Sequence, residues 1–278
     1  VGLRIATNMQ TMTANRELSS VTGDRVRTLE RLSSGNRIVR SGDDAAGLSI
    51  SEKLRGGIRS MQMAQRNTQD GISMIQTAEG GIIEAQNMLI RLRELSMVAA
   101  SDTVGNEERA YTNAEFQQLK GEIKRIANTT MYDRANLLNG TARSFDFQIG
   151  IEHAGVDRLT YNTQEANITP GALGIENLAT DTKEGARQNL AVINSAISKL
   201  SENRSYLGGM QSQLSHHMNN LDVSRTNLSQ GNSRIRDADM AEWKSKEISQ
   251  SIRQEAGNSV LLQAQGVPKA ALKLLENA

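Results

Sequence analysis

Residues 193–235 read INSAISKLSENRSYLGGMQSQLSHHMNNLDVSRTNLSQGNSRI, and within them Ile193, Leu200, Leu207, Leu214, Leu221, Leu228 and Ile235 recur at every seventh position. A strict apolar heptad keeps one stripe of a helix turned toward a neighbour along its whole length. The positions three residues ahead of this stripe are mixed: Leu190, Ile197 and Met218 are apolar, whereas Arg204, Gln211, Arg225 and Asn232 are polar. A seam that is strict on one side and polar-broken on the other suits a helix in a larger bundle better than a two-stranded zipper. At 1.5 Å per residue the stretch would extend roughly 63 Å, a rod-length element.

The N-terminal half carries a matching helix. Leu54, Met61, Ile75, Ile82 and Leu89 share one heptad position, with Ile58 and Ile72 at the second. Beside them runs a mostly small stripe, Ala64, Gly71, Ala78, Ala85, Leu92 and Ala99, which lets another backbone approach closely. Two packing faces predict at least two neighbours. A third helix is predicted across Asn106 to Asn128, with Ala114, Leu119, Ile123, Ile126 and Ala127 as its apolar members. The glycine pairs Gly56-Gly57, Gly80-Gly81 and Gly208-Gly209 each cost about 1 kcal/mol per residue relative to alanine inside a helix, so an isolated monomer would hold these helices weakly.

Between residues 139 and 180 the period changes. SFDFQIG sets Phe145, Phe147 and Ile149 on one face of an extended segment, and RLTYN repeats the alternation with Leu159 and Tyr161, which predicts a β-hairpin. Residues 153–157, HAGVD, supply its turn, and Thr169-Pro170-Gly171 a second break. Both chain ends return to helical spacing. Ile248, Ile252, Ala256, Val260, Ala264, Val267, Ala271 and Leu274 recur by threes and fours as the packing positions of a terminal helix, and the first forty residues form an amphipathic run from Leu3 to Leu32. Such ends bury little area within one molecule, so they are expected to become ordered when something covers them.

Composition narrows the function. The 278 residues carry 32 Lys+Arg against 31 Asp+Glu, a net charge of +1, which lacks the basic excess that nucleic-acid binding uses. There is no cysteine, hence no disulfide framework or thiolate chemistry. The longest apolar run, Met97 to Ala100, falls far short of the ~20 residues of a membrane span. No secretory-type apolar core opens the sequence, so export is expected to use another route.

Candidate chemistry is sparse. His153, His216 and His217 are the only histidines, and adjacent helical residues point about 100° apart, which disfavours a shared metal at the pair. No phosphate-cradling glycine motif occurs, and neither metal nor cofactor is expected. Asp43 and Asp44 follow Gly42 and precede an Ala-Ala-Gly-Leu helix start, where carboxylates accept orphan N–H groups. Asp237 and Asp239 read the same way. Arg91, Arg93 and Glu94 with Leu92 and Leu95 form a charged-and-apolar patch that, taken alone, is a solvated helix face.

Two long segments carry a family resemblance. RLSSGNRIVRSGDDAAGLSISEKLRGGIRS at 31–60 and NTQDGISMIQTAEGGI at 67–82 resemble the N-terminal region of bacterial flagellins. SRIRDAD at 233–239 and QEAGNSVLLQAQGVPKAALKLL at 254–275 resemble the C-terminal region. Val1, Trp243 and the terminal LENA depart from the family pattern. The resemblance implies a mainly α protein: a long antiparallel helical rod with terminal coiled-coil helices and a small β-hairpin region at about 141–180. Residues 1–40 and 240–278 would line an inner tube and 41–239 form the rod, with no outer domain inserted, since only Gly174 to Gly185 fills that interval. It further implies a secreted, extracellular homopolymer, handled by a flagellar export apparatus and a C-terminal-binding chaperone, and flanked by cap and hook-junction proteins. Arg91, Leu95 and Glu115 match positions that an innate immune receptor reads in flagellins and that also join subunits. A hook–filament junction protein is the nearest rival, a surface adhesin for glycans a more distant one, and an enzyme the weakest.

Overall fold

The heptad that begins at Ile193 lies inside one continuous helix. The computed structural model describes residues 8–141, 143–152 and 155–276, with side chains over the same span except at 156 and from 267 onward. In chain order the elements are α1 (Met9–Ser34), α2 (Ala45–Ala99), α3 (Asn106–Thr129), β1 (Met131–Tyr132), β2 (Ala135–Asn136), β3 (Ser144–Gln148), β4 (Arg158–Asn162), α4 (Pro170–Leu173), α5 (Lys183–Arg236) and α6 (Met240–Glu276). The fold is mainly α with small antiparallel hairpins. No helix among the described residues is long and apolar enough to cross a membrane. Residues 1–57 with 227–278 form one compact unit and residues 58–226 another, so α2 and α5 contribute to both.

In the 58–226 unit, Ile193, Leu200, Leu207, Leu214 and Leu221 are all buried. Their buried companions are Asn189, Ala196, Asn203 and Met210, four residues before each heptad position. The expected companions three residues before are instead half-buried or pair with polar neighbours, as Arg204 does with Gln86 at 3.1 Å. On α2 both predicted stripes are buried, Met61, Ile75, Ile82 and Leu89 on one side and Ala64, Ala78, Ala85, Leu92 and Ala99 on the other. Gly71 shows why the second stripe is small: a Cβ there would lie 3.3 Å from Phe147 of β3 and 3.4 Å from Leu214 of α5. Helix α3 buries Arg109, Phe116, Ile123 and Ala127, while Ala114, expected inside, is exposed. Phe116 takes the place that the sequence reading gave to Ala114, because 109, 116 and 123 are the heptad positions that face the core.

Arg109 is a buried cation with a defined task. Its Nε donates to the Ala99 carbonyl at 2.9 Å, Nη2 to the Ser101 carbonyl at 2.9 Å and Nη1 to Asn106 Oδ1 at 2.9 Å. A guanidinium at the C-terminus of α2 satisfies carbonyls that the helix leaves open and complements its dipole. The predicted hairpin forms with Phe145 opposite Tyr161 and Phe147 opposite Leu159. The Phe145 and Tyr161 rings stack at 6.2 Å. The Tyr161 hydroxyl donates to the Leu137 carbonyl at 2.9 Å, and burial pushes its pKa up. The turn residues predicted at 153 and 154 lie outside the described residues. A second hairpin, β1 with β2, turns through Asp133 and Arg134 at φ 43° and 64°. The break at Thr169 proves to be a capped helical turn: Thr169 Oγ1 accepts from Ala172 N, Pro170 starts α4, and Gly174 ends it in the left-handed region.

Neighbouring glycines on α2 give a paired test of this packing. A Cβ added at Gly80 would meet nothing within 4 Å, whereas at Gly81 that atom would sit 2.7 Å from buried Leu138 and 2.8 Å from Thr130 Oγ1. Gly80→Ala is expected to stabilise by up to about 1 kcal/mol through helix propensity. Gly81→Ala is expected to destabilise by about 1–2 kcal/mol, overpacking outweighing the same propensity gain. Thermal melts that move the same way for both would contradict this arrangement.

Candidate assembly interface

Helices α1 and α6 pair within the unit made of the two chain ends, and their register is antiparallel. Asn8 Nδ2 donates to the Ala264 carbonyl at 2.9 Å, Arg25 reaches Gln254 at 2.7 Å and Glu247 at 3.3 Å, and Arg31 lies 4.5 Å over the Trp243 ring. The inward positions on α1 are Thr11, Ala14, Leu18, Val21, Arg25, Thr28 and Leu32; on α6 they are Trp243, Glu247, Gln250, Gln254, Gly257, Leu261 and Ala264. Both sets alternate by threes and fours, the spacing of a coiled-coil seam. Most of their side chains are polar or small. Leu18 fits because Gly257 has no side chain: a Cβ there would be 3.3 Å from Leu18 Cδ1.

Of the expected packing positions of α6, Ala264 lies in this seam. Ile248, Ile252 and Val260 lie outside the seam and are exposed, Ile252 by 62 % and Val260 by 55 %. Val267 and Leu274 lie outside the residues whose side chains are described. The apolar periodicity read from the sequence leaves the seam at Ile248, Ile252 and Val260 and enters it at Ala264. The physical reason is visible in the seam, where Arg25, Glu247 and Gln254 use ion pairing and hydrogen bonds to occupy positions that a hydrophobic stripe would otherwise fill. Helix α1 likewise turns Met9, Met12, Val26 and Leu29 outward. At one end of the hairpin a groove of about 730 Å³ opens between the helices, lined by Met9, Ala14, Leu18, Val21, Gly257 and Val260.

A short crossing ties the hairpin to the start of α2 and the end of α5. Gly35, in the left-handed region at φ 68°, ends α1. Asn36 bridges Asp237, Arg37 N donates to the Arg236 carbonyl at 2.6 Å, and Ala238 N donates to the Gly35 carbonyl at 2.9 Å. Of the two carboxylates before α2, Asp43 bonds upstream and Asp44 bonds into the helix. Asp43 Oδ2 accepts from Arg40 N at 3.0 Å and Val39 N at 3.1 Å, and Oδ1 accepts from Arg31 at 2.8 Å. The Arg40 N–H, with Val39 and Arg31, holds this carboxyl below its ordinary pKa against the opposing effect of burial. Asp44 Oδ1 accepts from Gly47 N at 2.8 Å, inside the first turn of α2. Asp239 does the same for α6 through Ala241 N at 2.9 Å. Because Arg31 contacts both Asp43 and Trp243, one side chain fixes the hairpin to this crossing.

In the 58–226 unit, Arg91 and Glu115 meet across α2 and α3. Arg91 Nε donates to Glu115 Oε1 at 2.9 Å, and Nη1 donates to Glu94 at 3.0 Å. These bonds, Glu115 first, raise the guanidinium pKa further. Leu95 is only 6 % exposed and joins the core, so it supports the patch from beneath. On the same two helices Ile90, Met97, Val98 and Tyr111 are exposed. Sequence reasoning missed this apolar rim, although Ile90, Met97 and Val98 stand beside the charges in the chain. His216 is exposed and His217 half-buried, while His153 lies outside the described residues. Among the described residues no three His, Asp or Glu side chains converge as a metal site would require.

The chain matches the family models for the bacterial flagellin N-terminal helical region over residues 5–143 and the bacterial flagellin C-terminal helical region over residues 190–275. It is 40 % identical to a flagellin of Halalkalibacterium halodurans, covering 96 % of this chain and 98 % of that protein. It is 37 % identical to a flagellin of Bacillus subtilis, covering 98 % and 100 %. A flagellar filament 33 kDa core protein of Treponema phagedenis is 35 % identical, over 96 % and 98 %. Among solved structures, Bacillus cereus flagellin superposes with a TM-score of 0.51 at 28 % identity, covering 56 % of this chain and 88 % of that one. A putative flagellar hook-associated protein of Vibrio parahaemolyticus shares the fold, with a TM-score of 0.58 at 11 % identity over 70 % and 100 %.

Proposed function

The chain belongs to the bacterial flagellin family, and from that membership we propose that the outward apolar faces of its terminal hairpin are the surfaces through which subunits join. It is a structural subunit of the flagellar filament, and subunits of this family polymerise with one another. The observation that carries the proposal is the division of apolar side chains in the hairpin: most α1–α6 seam positions are polar or small, while Ile248, Ile252, Val260, Met9 and Met12 are left exposed. Soluble single molecules seldom leave so many large apolar side chains clustered on one element, and repeated heterologous contact covers them without closing a ring.

On this reading residues 1–40 and 240–278 build the inner tube, and 41–239 the surrounding rod. The Arg91, Glu94 and Glu115 patch, with its rim of Ile90, Met97 and Tyr111, joins neighbouring subunits and presents the same surface to an innate immune receptor when subunits are free. Export through a flagellar secretion channel, a chaperone on the C-terminal segment, and cap and hook-junction partners complete the proposed setting. The product is an extracellular filament with no catalytic role assigned to the chain.

The test is electron microscopy of the purified chain at rising concentration, beside Arg91→Glu and a truncation lacking 240–278. Tubular filaments are expected from the intact chain, sparse or short ones from Arg91→Glu, and none from the truncation. Filaments of normal calibre from the truncated chain would contradict the hairpin's role, and unaltered growth with Arg91→Glu would remove the patch from the contact.

A further inference from the structure

The sulfur chemistry of this chain is confined to thioethers, since it has 11 methionines and no cysteine. They fall into separate environments. Met61, Met74 and Met210 are buried in the packed helices, whereas Met9 and Met12 stand on the outer side of α1, 64 % and 54 % exposed. Met9 also lines the groove between α1 and α6, beside Val260 and Ala264. One helical turn therefore places two oxidisable sulfurs on the face that the filament reading requires to be buried.

We propose that Met9 and Met12 are peroxide-modification sites that block polymerisation of free subunits, a proposal that rests on the hairpin assembly reading above. The thioether sulfur attacks one oxygen of hydrogen peroxide, the O–O bond breaks, that oxygen becomes the sulfoxide oxygen, and the other leaves as water. Sulfur loses two electrons and the peroxide gains them. The product replaces a flexible apolar side chain with a polar one bearing a strong acceptor. In the free subunit water satisfies that acceptor. Against an apolar neighbour it has no donor, so the cost falls on assembly and spares the subunit's own fold. Sulfoxide reductases supplied with a thiol reductant remove the oxygen as water while the thiols are oxidised to a disulfide, which makes the block reversible. Subunits already in a filament would be shielded, because the same sulfurs are then covered.

The experiment uses the full chain exposed to hydrogen peroxide as free subunits, with sulfoxide located by peptide mass spectrometry and growth followed by light scattering and electron microscopy. Oxidation is expected first at the exposed methionines, sparing Met74 and Met210, with the concentration needed for growth raised about tenfold or more. In a parent chain carrying Met97→Leu and Met240→Leu, which removes the exposed thioethers of the rim and of α6, adding Met9→Leu/Met12→Leu is expected to make growth after peroxide equal to that variant's own growth before it, whereas adding Met63→Leu/Met131→Leu, exposed positions in the other unit, leaves growth sensitive. Treating oxidised wild-type chains with methionine sulfoxide reductases A and B and dithiothreitol, whose two thiols become a disulfide as the sulfoxide oxygen leaves as water, is expected to restore growth, independently of any variant. Unchanged growth of fully oxidised wild-type chains, or equal sensitivity in the Met9/Met12 variant, overturns the proposal. Failure of unoxidised wild-type chains to grow would count instead against the filament reading on which it rests.

Discussion

Ile252→Glu combined with Val260→Glu is expected to abolish filament growth at concentrations where the unaltered chain assembles, while leaving the melting midpoint of the free subunit within about 2 °C of its original value. Both side chains are more than half exposed in the free chain, so a carboxylate at either site keeps its water. Each substitution also replaces a β-branched residue with a better helix former, which offsets the small loss of apolar contact. In a polymer the same carboxylates are repeated at every contact. Covering an unpaired charge with an apolar neighbour costs several kcal/mol, and about 3 kcal/mol alone raises the concentration required roughly a hundredfold. Sedimentation of the variant beside the parent reads assembly, and circular dichroism reads the fold. Normal filaments from the double variant would place these residues on a free surface; an unfolded subunit would place them inside.

The long helices are legible in the sequence because burial in the 58–226 unit follows apolar periodicity. The Ile193 heptad and the paired stripes of α2 require only that large residues meet large ones and small residues admit a close neighbour. Phe145, Phe147, Leu159 and Tyr161 reveal their hairpin by alternation, and its register matches it pair by pair. The terminal hairpin is harder to read from its apolar pattern. Arg25, Thr28, Glu247, Gln250 and Gln254 interrupt the seam signal of Leu18, Val21, Leu32, Trp243 and Leu261, so the stripe of Ile248, Ile252 and Val260 outside the seam is the more conspicuous one. Heptad spacing among polar residues, anchored by Trp243, is the available clue.

Other omissions have equally specific causes. Arg109 sits on a helix where a cation ordinarily faces water, and only the fold brings the Ala99 and Ser101 carbonyls to its guanidinium. The β1–β2 turn escapes notice because two-residue hairpin turns of positive φ usually advertise themselves with Asn-Gly or Asp-Gly. Here Asp133 and Arg134 take those conformations without a glycine. Leu95 is grouped with Arg91 and Glu115 by resemblance, yet the position four residues after Arg91 turns into the core. At the helix starts Asp44 and Asp239 act locally through first-turn backbone N–H groups that sequence alone places nearby, whereas Asp43 turns back to Val39 and Arg40.

The second large effect concerns the hairpin's own stability. Its buried side chains among the described residues include Thr28, Trp243, Glu247 and Ala264, a thin set beside the apolar core of Ile75, Ile82, Leu89, Leu92, Phe116, Ile123, Leu200 and Leu207. Segments with few buried apolar contacts open at low free energy, and their amides exchange accordingly. Covering the outer face of the same helices adds the missing burial only when copies stack. Hydrogen exchange resolved by peptide, on dilute subunits and on sedimented filaments of the same chain, measures this directly. Peptides from α1 and α6 are expected to exchange at least about a hundredfold faster in subunits than in filaments, while peptides spanning Ile72–Leu95 change little. Protection of α1 and α6 in dilute subunits equal to that of Ile72–Leu95, unchanged on assembly, would contradict the account.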